Sequence, residues 1–383
     1  MKRFFICCVL CFISLSICCG SMQKYALATD ELEITSKSAF LMDFASREVL
    51  YEKNPTQHLP VASMVKMMTI LLSLEDYKNK EVALDTKITV SENASGMGGS
   101  QVFLDAYSTY TFEDLLKSVI MASANDASVA LAEHFSGSEK AFVKRMNKKA
   151  KTIGMKDTNY VNCTGLPVPE QYSCAKDSAI LLSEILKYDI YHNYSNVWMD
   201  ELEHPSGRKT ELVNTNRLIR YYKGCDSGKT GSTNEAGCCL TASAQRDDMR
   251  LISVVVGAEN SKTRFNECST LFNYGFANFE NEKIIDSSIA LCELSINKGK
   301  KENIEIYAKE DFSMITKRGD NNDYQVNKIM PKTIKAPTKK GDVVGKVQII
   351  KNGVVIKEID VLVNEDIERL SWFDSIEKIV ENW

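Results

Sequence analysis

The chain has 383 residues, 44% of them apolar and 26% charged, with a formal charge of −4. That length allows about two or three domains, and so ordinary a composition excludes disordered, collagen-like and coiled-coil chains. Forty-seven basic residues stand against 51 acidic ones with no basic stripe, which excludes a nucleic-acid binder.

In chain order, the first segment reads as an address. Lys2 and Arg3 precede an apolar run over 4–19, and Ala26-Leu27-Ala28 follows as a small-x-small site. A positive start, a short apolar stretch and such a site predict a Sec signal peptide over 1–28, cleaved after Ala28. The run is short for a retained membrane span. Bulky Ile17 before Cys18 argues against a lipoprotein site. Cleavage removes three basic residues, no acidic ones, and five of the 12 cysteines. The remaining cysteines (163, 174, 225, 238, 239, 268 and 292) are odd in number, so at least one is free or intermolecular. None forms C-x-x-C, which leaves a zinc ribbon or thioredoxin-type site without support.

Residues 38–44 and 48–51 flank a polar turn and predict a hairpin. After Pro60, residues 61–74 are apolar on nearly every face, the mark of a helix buried at a domain centre. Over 111–122, Thr111 and Asp114 have capping-box spacing, and Phe112, Leu115, Leu116, Val119 and Ile120 share one helical face. Helical patterns follow near 127–134 and 139–153, then strands over 238–244 and 249–256. Past about 285 short alternating runs are separated by Lys-, Gly- and Asn-rich turns; 343–350 and 354–361 flank Asn352-Gly353, a strong hairpin signal. A small all-β domain over 285–364 is expected. Ile367, Leu370, Phe373, Ile376 and Val380 space out as one face of a terminal amphipathic helix over 365–383. Its two readings are packing on its own domain and contact with a membrane surface.

For chemistry, G-x-S-x-G and H-E-x-x-H are absent, and none of the four histidines stands in a catalytic setting. Residues 224–230 resemble a Walker A loop but are one residue short between the glycines. Ser63-Met64-Val65-Lys66 is more informative. Residues three apart on a helix share a face, so the lysine reaches the serine hydroxyl. Apolar surroundings depress the lysine pKa, and a neutral lysine can serve as general base for a nucleophilic serine without any histidine. The pattern alone is cheap: S-x-x-K recurs at Ser21, Ser173, Ser206, Ser295 and Ser375, and S-x-N at Ser91, Ser123, Ser232 and Ser295. K-T-G occurs once, at Lys229-Thr230-Gly231. Order and context discriminate: Ser63 opens a buried helix, Ser123-Ala124-Asn125 lies at a helix–helix junction, and K-T-G precedes a hairpin.

S-x-x-K, S-x-N and K-T-G in this order resemble the penicillin-binding protein and serine β-lactamase superfamily. Longer strings narrow the likeness: 60–69 around Ser63, Gly98-Gly99-Ser100-Gln101, 122–127 around Ser123, Asn214-Thr215-Asn216-Arg217-Leu218 and 229–233. These are similar to low-molecular-mass D-alanyl-D-alanine carboxypeptidases, including their sporulation-type branch. The likeness covers about 30–280. It implies an α/β fold with an antiparallel sheet flanked by helices in a catalytic domain over 29–284, followed by the β-rich domain and the terminal helix.

The resemblance also implies roles. Ser63 would form an acyl-enzyme with the penultimate D-Ala of a peptidoglycan stem peptide, and Lys66 would take its proton. Ser123 would relay a proton to the departing D-Ala, and Asn125 would hold the substrate amide. Lys229 and Thr230 would receive the terminal carboxylate, with Arg264 a further candidate. The Ser63 N–H would help form an oxyanion hole. β-Lactams would act as inhibitors; no cofactor, metal or nucleic acid is implied. An exported, extracytoplasmic enzyme is expected, peripheral on the outer membrane face if the terminal helix binds there. Two departures from the family pattern are Ser227-Gly228, where a glycine and then an aliphatic residue are expected, and Cys163, where proline is expected. The rivals are a transpeptidase, a slow β-lactamase (Glu170 lacks the downstream asparagine that would support fast deacylation) and a non-catalytic peptidoglycan-binding protein.

Overall fold

The computed structural model describes residues 32–319 and 324–372. The proposed signal segment and most of the proposed terminal helix lie outside the described residues. No described helix is long and apolar enough to cross a membrane.

Five antiparallel strands form the central sheet: β1 (Ser38–Asp43), β2 (Val49–Lys53), β3 (Cys225–Thr233), β4 (Gly237–Arg246) and β5 (Met249–Ala258), in the order β2-β1-β5-β4-β3. Every residue of β1 is buried, as a strand covered on both faces must be. Strand β3, which carries the K-T-G triplet, lies at the sheet edge. One side of its backbone is therefore open to pair with another extended chain.

Helices cover both faces. α1 (Lys66–Lys78) packs against α2 (Phe112–Met121), α3 (Asn125–Ser136), α4 (Glu139–Thr152) and α5 (Ala175–Ile185). With neighbours on so many sides, α1 buries a continuous run from Lys66 to Leu74, which explains its lack of a polar stripe. The capping box of α2 is present, with the Thr111 hydroxyl accepting from Asp114 N–H and the Asp114 carboxylate accepting from Thr111 N–H; such caps contribute about 1 kcal/mol. α5 packs on β5, and α6 (Ser261–Asn278) packs on β5 and β4.

Helical structure over 61–74 differs in one respect from the periodicity. Residues Ala62–Val65 form a 3₁₀ turn, and the α-helix proper starts at Lys66. Two glycine backbones crowd this turn. A Cβ on Gly165 would lie 2.1 Å from the Ala62 carbonyl oxygen, and one on Gly231 would lie 2.4 Å from that of Val61. The tighter turn is thus clamped between the 165 loop and strand β3.

Gly228, where an aliphatic residue was expected, has φ +147°, and a Cβ there would sit 2.5 Å from the Thr241 carbonyl oxygen. Neighbouring β4 approaches so closely that only glycine fits. The residue tightens the pairing of β3 and does not loosen it.

Strand Phe279–Ile285 (β6) begins directly after α6 and pairs with Phe312–Lys317 (β9), so residues before 285 already join the β-rich region. Between them run β7 (Ala290–Asn297) and β8 (Asn303–Ala308); beyond lie β10 (Tyr324–Ile329), β11 (Thr333–Lys335), β12 (Val343–Lys351) and β13 (Val354–Val363). The larger sheet has the order β10-β12-β13-β8-β7-β11. Asn352 and Gly353 both have positive φ in the β12–β13 turn, as a type I′ hairpin requires. Residues 365–370 are not helical. Ile367 bridges to Thr338 and Arg369 to Gly299, and Ile367 is buried in the β-domain core. The apolar spacing over this stretch reflects a packed extended segment; the remainder of the expected helix, from Phe373 on, lies outside the described residues. All seven cysteines beyond the signal segment are free thiols, five of them buried.

The clamp on the 3₁₀ turn can be separated from backbone strain. Gly154 and Gly165 both have positive φ, +87° and +83°, but only Gly165 has no room for a Cβ. Gly154→Ala should cost about 1 kcal/mol and Gly165→Ala more than about 2 kcal/mol by urea denaturation. Equal midpoints for the two variants would refute the clamp.

Candidate active site

Ser63 sits on the 3₁₀ turn, one residue beyond Ala62, whose φ is +49°. Lys66 Nζ donates to Ser63 Oγ at 3.0 Å and to the Thr164 carbonyl oxygen at 2.5 Å. The Lys66 side chain is fully buried. Burial pushes its pKa down to about 7 against the opposing pull of Asp126, so the neutral amine is well populated near neutral pH. That nitrogen can accept the Ser63 proton.

A second pair faces the first. Ser123 is in the three-residue junction between α2 and α3, with φ +62°. Lys229 Nζ donates to Ser123 Oγ at 2.7 Å and to the Thr230 carbonyl oxygen at 3.1 Å. Burial, reinforced by repulsion from Lys66 and Arg264, holds the Lys229 pKa well below its usual range. The two serine–lysine pairs, drawn from segments far apart in sequence, form one polar cluster.

Asn125 opens α3. Its backbone N–H donates to the Ser100 carbonyl and its Nδ2 to the Gly98 carbonyl, at 2.7 and 2.6 Å. Its buried Oδ1 has no partner among the described residues, leaving an acceptor available for a ligand N–H. Next to it, buried Asp126 accepts from Val102 N–H at 3.2 Å and Leu104 N–H at 3.1 Å, which fixes the 98–104 segment over the site.

Arg264, on α6, lies behind the edge strand. Its Nη1 donates to the Gly231 carbonyl at 3.0 Å and to Ser232 Oγ at 2.8 Å, while its buried Nε is unpartnered. Arg264 and Thr230 both line a cavity of about 530 Å³ that also reaches Trp198, Arg217 and Tyr221. On the other flank of Ser63 an apolar cavity of about 430 Å³ is bounded by Val61, Val65, Leu166, Pro169 and Thr233. Ser63, Lys66, Ser123 and Lys229 are thus joined through hydrogen-bonded pairs, Asn125 adjoins Ser123 in the chain, and Thr230 and Arg264 meet in the neighbouring cavity.

Sequence reasoning missed two supports. The Thr164 carbonyl that holds Lys66 is a backbone atom with no residue signature. Cys163, in place of the expected proline, contributes its carbonyl to Thr69 Oγ1 and Ser128 Oγ at 3.1 and 2.8 Å, so the exchange leaves the loop anchored. Away from this cluster, Asp157, Cys174 and Asp177 bring potential metal-ligand atoms within 4.8 Å of one another. Their hydrogen bonds are those of a helix cap: Cys174 Sγ accepts from Asp177 N–H, and Asp177 Oδ2 accepts from Asp157 N–H and Thr158 Oγ1.

Comparison with known proteins gives a consistent picture. Residues 25–260 match the family model for D-alanyl-D-alanine carboxypeptidase, and residues 279–369 match that for the penicillin-binding protein 5 C-terminal domain. The D-alanyl-D-alanine carboxypeptidase DacF of Bacillus subtilis is 40% identical over 93% of this chain and 92% of its own. Among solved structures, penicillin-binding protein 5 from Haemophilus influenzae is 32% identical, with a TM-score of 0.71 over 88% of this chain and 98% of its own. PBP3 from Streptococcus pneumoniae, titled a peptidoglycan synthesis regulatory factor, is 26% identical, with a TM-score of 0.74 over 88% of this chain and 100% of its own.

A base with its pKa lowered to about 7 has a definite pH signature. Below pH 7 the Lys66 amine takes a proton and no longer has a lone pair that could accept the Ser63 proton. Acylation of Ser63 by a β-lactam, followed by stopped flow, should therefore fall about tenfold per pH unit below 7 and level off above it. A midpoint near the ordinary lysine value, or a flat profile from pH 5 to 9, would contradict this. Lys66→Arg, permanently charged, should lose about 100-fold or more at every pH.

Proposed function

Because this chain belongs to the D-alanyl-D-alanine carboxypeptidase family and is a serine-type enzyme of that activity, we propose that its reaction runs through Ser63, Lys66, Ser123 and Lys229, with Asn125, Thr230 and Arg264 binding the substrate. The observation that carries this assignment is the facing arrangement of two serine–lysine hydrogen bonds, Lys66 to Ser63 and Lys229 to Ser123.

A stem peptide ending in D-Ala-D-Ala lies along the open edge of β3. Its terminal carboxylate is received by Thr230 and Lys229, with Arg264, which lines the same cavity as Thr230, as a further cationic partner. The unpartnered Oδ1 of Asn125 accepts a substrate N–H. Neutral Lys66 takes the Ser63 proton as Oγ attacks the penultimate carbonyl carbon. Negative charge develops on the carbonyl oxygen, and the backbone N–H of Ser63 donates to it.

Collapse of the tetrahedral species breaks the C–N bond. The proton that Lys66 took passes through the Ser123 hydroxyl, held by Lys229, to the departing amine; D-Ala leaves and Lys66 is neutral again. Water then attacks the Ser63 ester, with Lys66 again as proton acceptor, to free the shortened peptide. Removal of a nucleophilic hydroxyl ends both stages. A β-lactam, whose strained amide presents the same carbonyl and carboxylate, is attacked by the same hydroxyl and leaves its acyl group on Ser63.

The signal-like start of the chain and the wall location of such peptides support an exported enzyme acting outside the cytoplasmic membrane. Contact of the terminal residues with the membrane surface belongs to the same proposal; its acidic composition places any such contact on apolar side chains and not on attraction to anionic lipid.

Intact-protein mass spectrometry with benzylpenicillin should show one covalent adduct, absent from Ser63→Ala, and the untreated enzyme should release D-Ala from a pentapeptide. An adduct without D-Ala release would point to a transpeptidase; an adduct on Ser63→Ala would refute the nucleophile. Ser123→Ala should acylate at least about 100-fold more slowly while remaining folded, and an unchanged rate would remove Ser123 from the proton path.

A further inference from the structure

A hairpin outside the serine–lysine cluster reaches across to its wall. Strands Met199–Glu203 and Lys209–Val213 pair antiparallel, and the turn between them carries His204, Ser206 and Arg208. Arg208 Nη2 donates to the Phe103 carbonyl and, at 3.2 Å, to the Asp105 carboxylate, which also accepts from Ser206 Oγ at 3.2 Å. Thr210 Oγ1 donates to the Val102 carbonyl at 3.4 Å. The N–H groups of Val102 and Leu104 are already taken by Asp126, the residue after Asn125. Residues 102–105 are therefore gripped from both sides, by Asp126 within and by the hairpin without.

His204 stands at the centre of these contacts, with its side chain fully buried. Its Nδ1 lies 2.8 Å from Tyr110 Oη and 3.0 Å from Arg208 Nη2, and its Nε2 lies 2.8 Å from Thr210 Oγ1. A guanidinium has only protons to offer, so Nδ1 is an acceptor. The imidazole is then neutral, with its hydrogen on Nε2 donated to Thr210. Tyr110 Oη, which accepts from the Asp105 N–H at 3.0 Å, gives its own proton to the same Nδ1. Burial, reinforced by Arg208, holds the His204 pKa below its ordinary value against the opposing pull of Asp105 and Asp126. A proton on Nδ1 would cancel both of its hydrogen bonds at once and set an imidazolium against the Arg208 guanidinium.

We propose that His204 is a positioning residue for substrate binding: as a neutral imidazole it locks residues 102–105 beside Asn125, and as an imidazolium it releases them, so that affinity for a stem peptide falls in acid. The proposal rests on the reading of Asn125 as the group that holds a substrate N–H. Asn125 spends its N–H on the Ser100 carbonyl and its Nδ2 on that of Gly98, so the aim of its unpartnered Oδ1 follows the position of this segment. The two titrations act on different steps. A charged Lys66 slows removal of the Ser63 proton with substrate already in place, whereas a charged His204 weakens binding before any proton moves.

Binding is read apart from chemistry in full-length Ser63→Ala, titrated calorimetrically with a pentapeptide ending in D-Ala-D-Ala. Its Kd should rise at least about fivefold from pH 7 to pH 5. Adding His204→Asn keeps an oxygen where Nδ1 accepts but removes the titration, so the Kd should stay within about threefold of the parent at pH 7 and remain level down to pH 5. Arg208, whose side chain is 40% exposed, can be changed without disturbing the core; Arg208→Gln removes the neighbouring cation and should move the loss of affinity to higher pH. A Kd that is level in the parent, or that rises equally in His204→Asn, would overturn the proposal and leave D-Ala release through Ser63 standing. So would an Arg208→Gln profile identical to the parent. Undiminished binding in Asn125→Ala at pH 7 would refute the reading of Asn125 on which the proposal rests.

Discussion

Everything at this site depends on keeping two lysine ammonium groups out of water. Lys66 and Lys229 are both buried, and neither has a carboxylate in direct contact; each instead meets a serine hydroxyl and a backbone carbonyl. Dehydration of a cation without a counter-ion costs several kcal/mol, and the protein lowers that cost by making deprotonation easy. A basic amine beside a serine is the direct product. The fold therefore has to supply a dry enclosure more than it has to supply any particular charge.

Several features of the architecture serve that enclosure. Surrounded by other helices, α1 delivers Lys66 into the interior from its first turn. The glycines at 165 and 231 let the loop and the edge strand close against the 3₁₀ turn where a side chain would hold them apart. Asp126 ties down residues 102 and 104, completing the wall on the side of Asn125. The same strand that supplies Lys229 to the interior lies at the edge of the sheet, so the dry lysine and the sheet's outer edge are parts of one element.

Much of this was legible before the structure. Ser63, Lys66, Ser123 and Lys229 stand in patterns whose order is informative even though each pattern is common alone. The central helix showed through its unbroken apolar run, and α2 through its capping pair. What escaped has physical reasons. Strand β3 is built of small polar residues, because it packs closely on β4 and faces a cleft, and so lacks the β-branched signature of a strand. Helix α6, which brings Arg264 to the site, has an interrupted apolar face. Gly228 departs from the family pattern, and the close approach of the Thr241 carbonyl makes glycine a requirement there. At 365–370 apolar spacing suited a helix, but bridges to Thr338 and Gly299 drew the segment onto the β domain. Tertiary packing decided between two conformations that the residues alone allowed.

The hydrogen bond from Lys66 to the Thr164 carbonyl links proton affinity to loop position. That carbonyl belongs to a loop anchored through the Cys163 carbonyl on Thr69 and Ser128, side chains of the two helices that enclose the site. Withdrawal of the loop would admit water to Lys66, return its ammonium to ordinary solvation and so raise its pKa. The amine would then be charged at neutral pH, with no lone pair to offer the Ser63 hydroxyl. Displacement of this loop would thus change the charge carried at Lys66 while every side chain of the serine–lysine cluster stays in place.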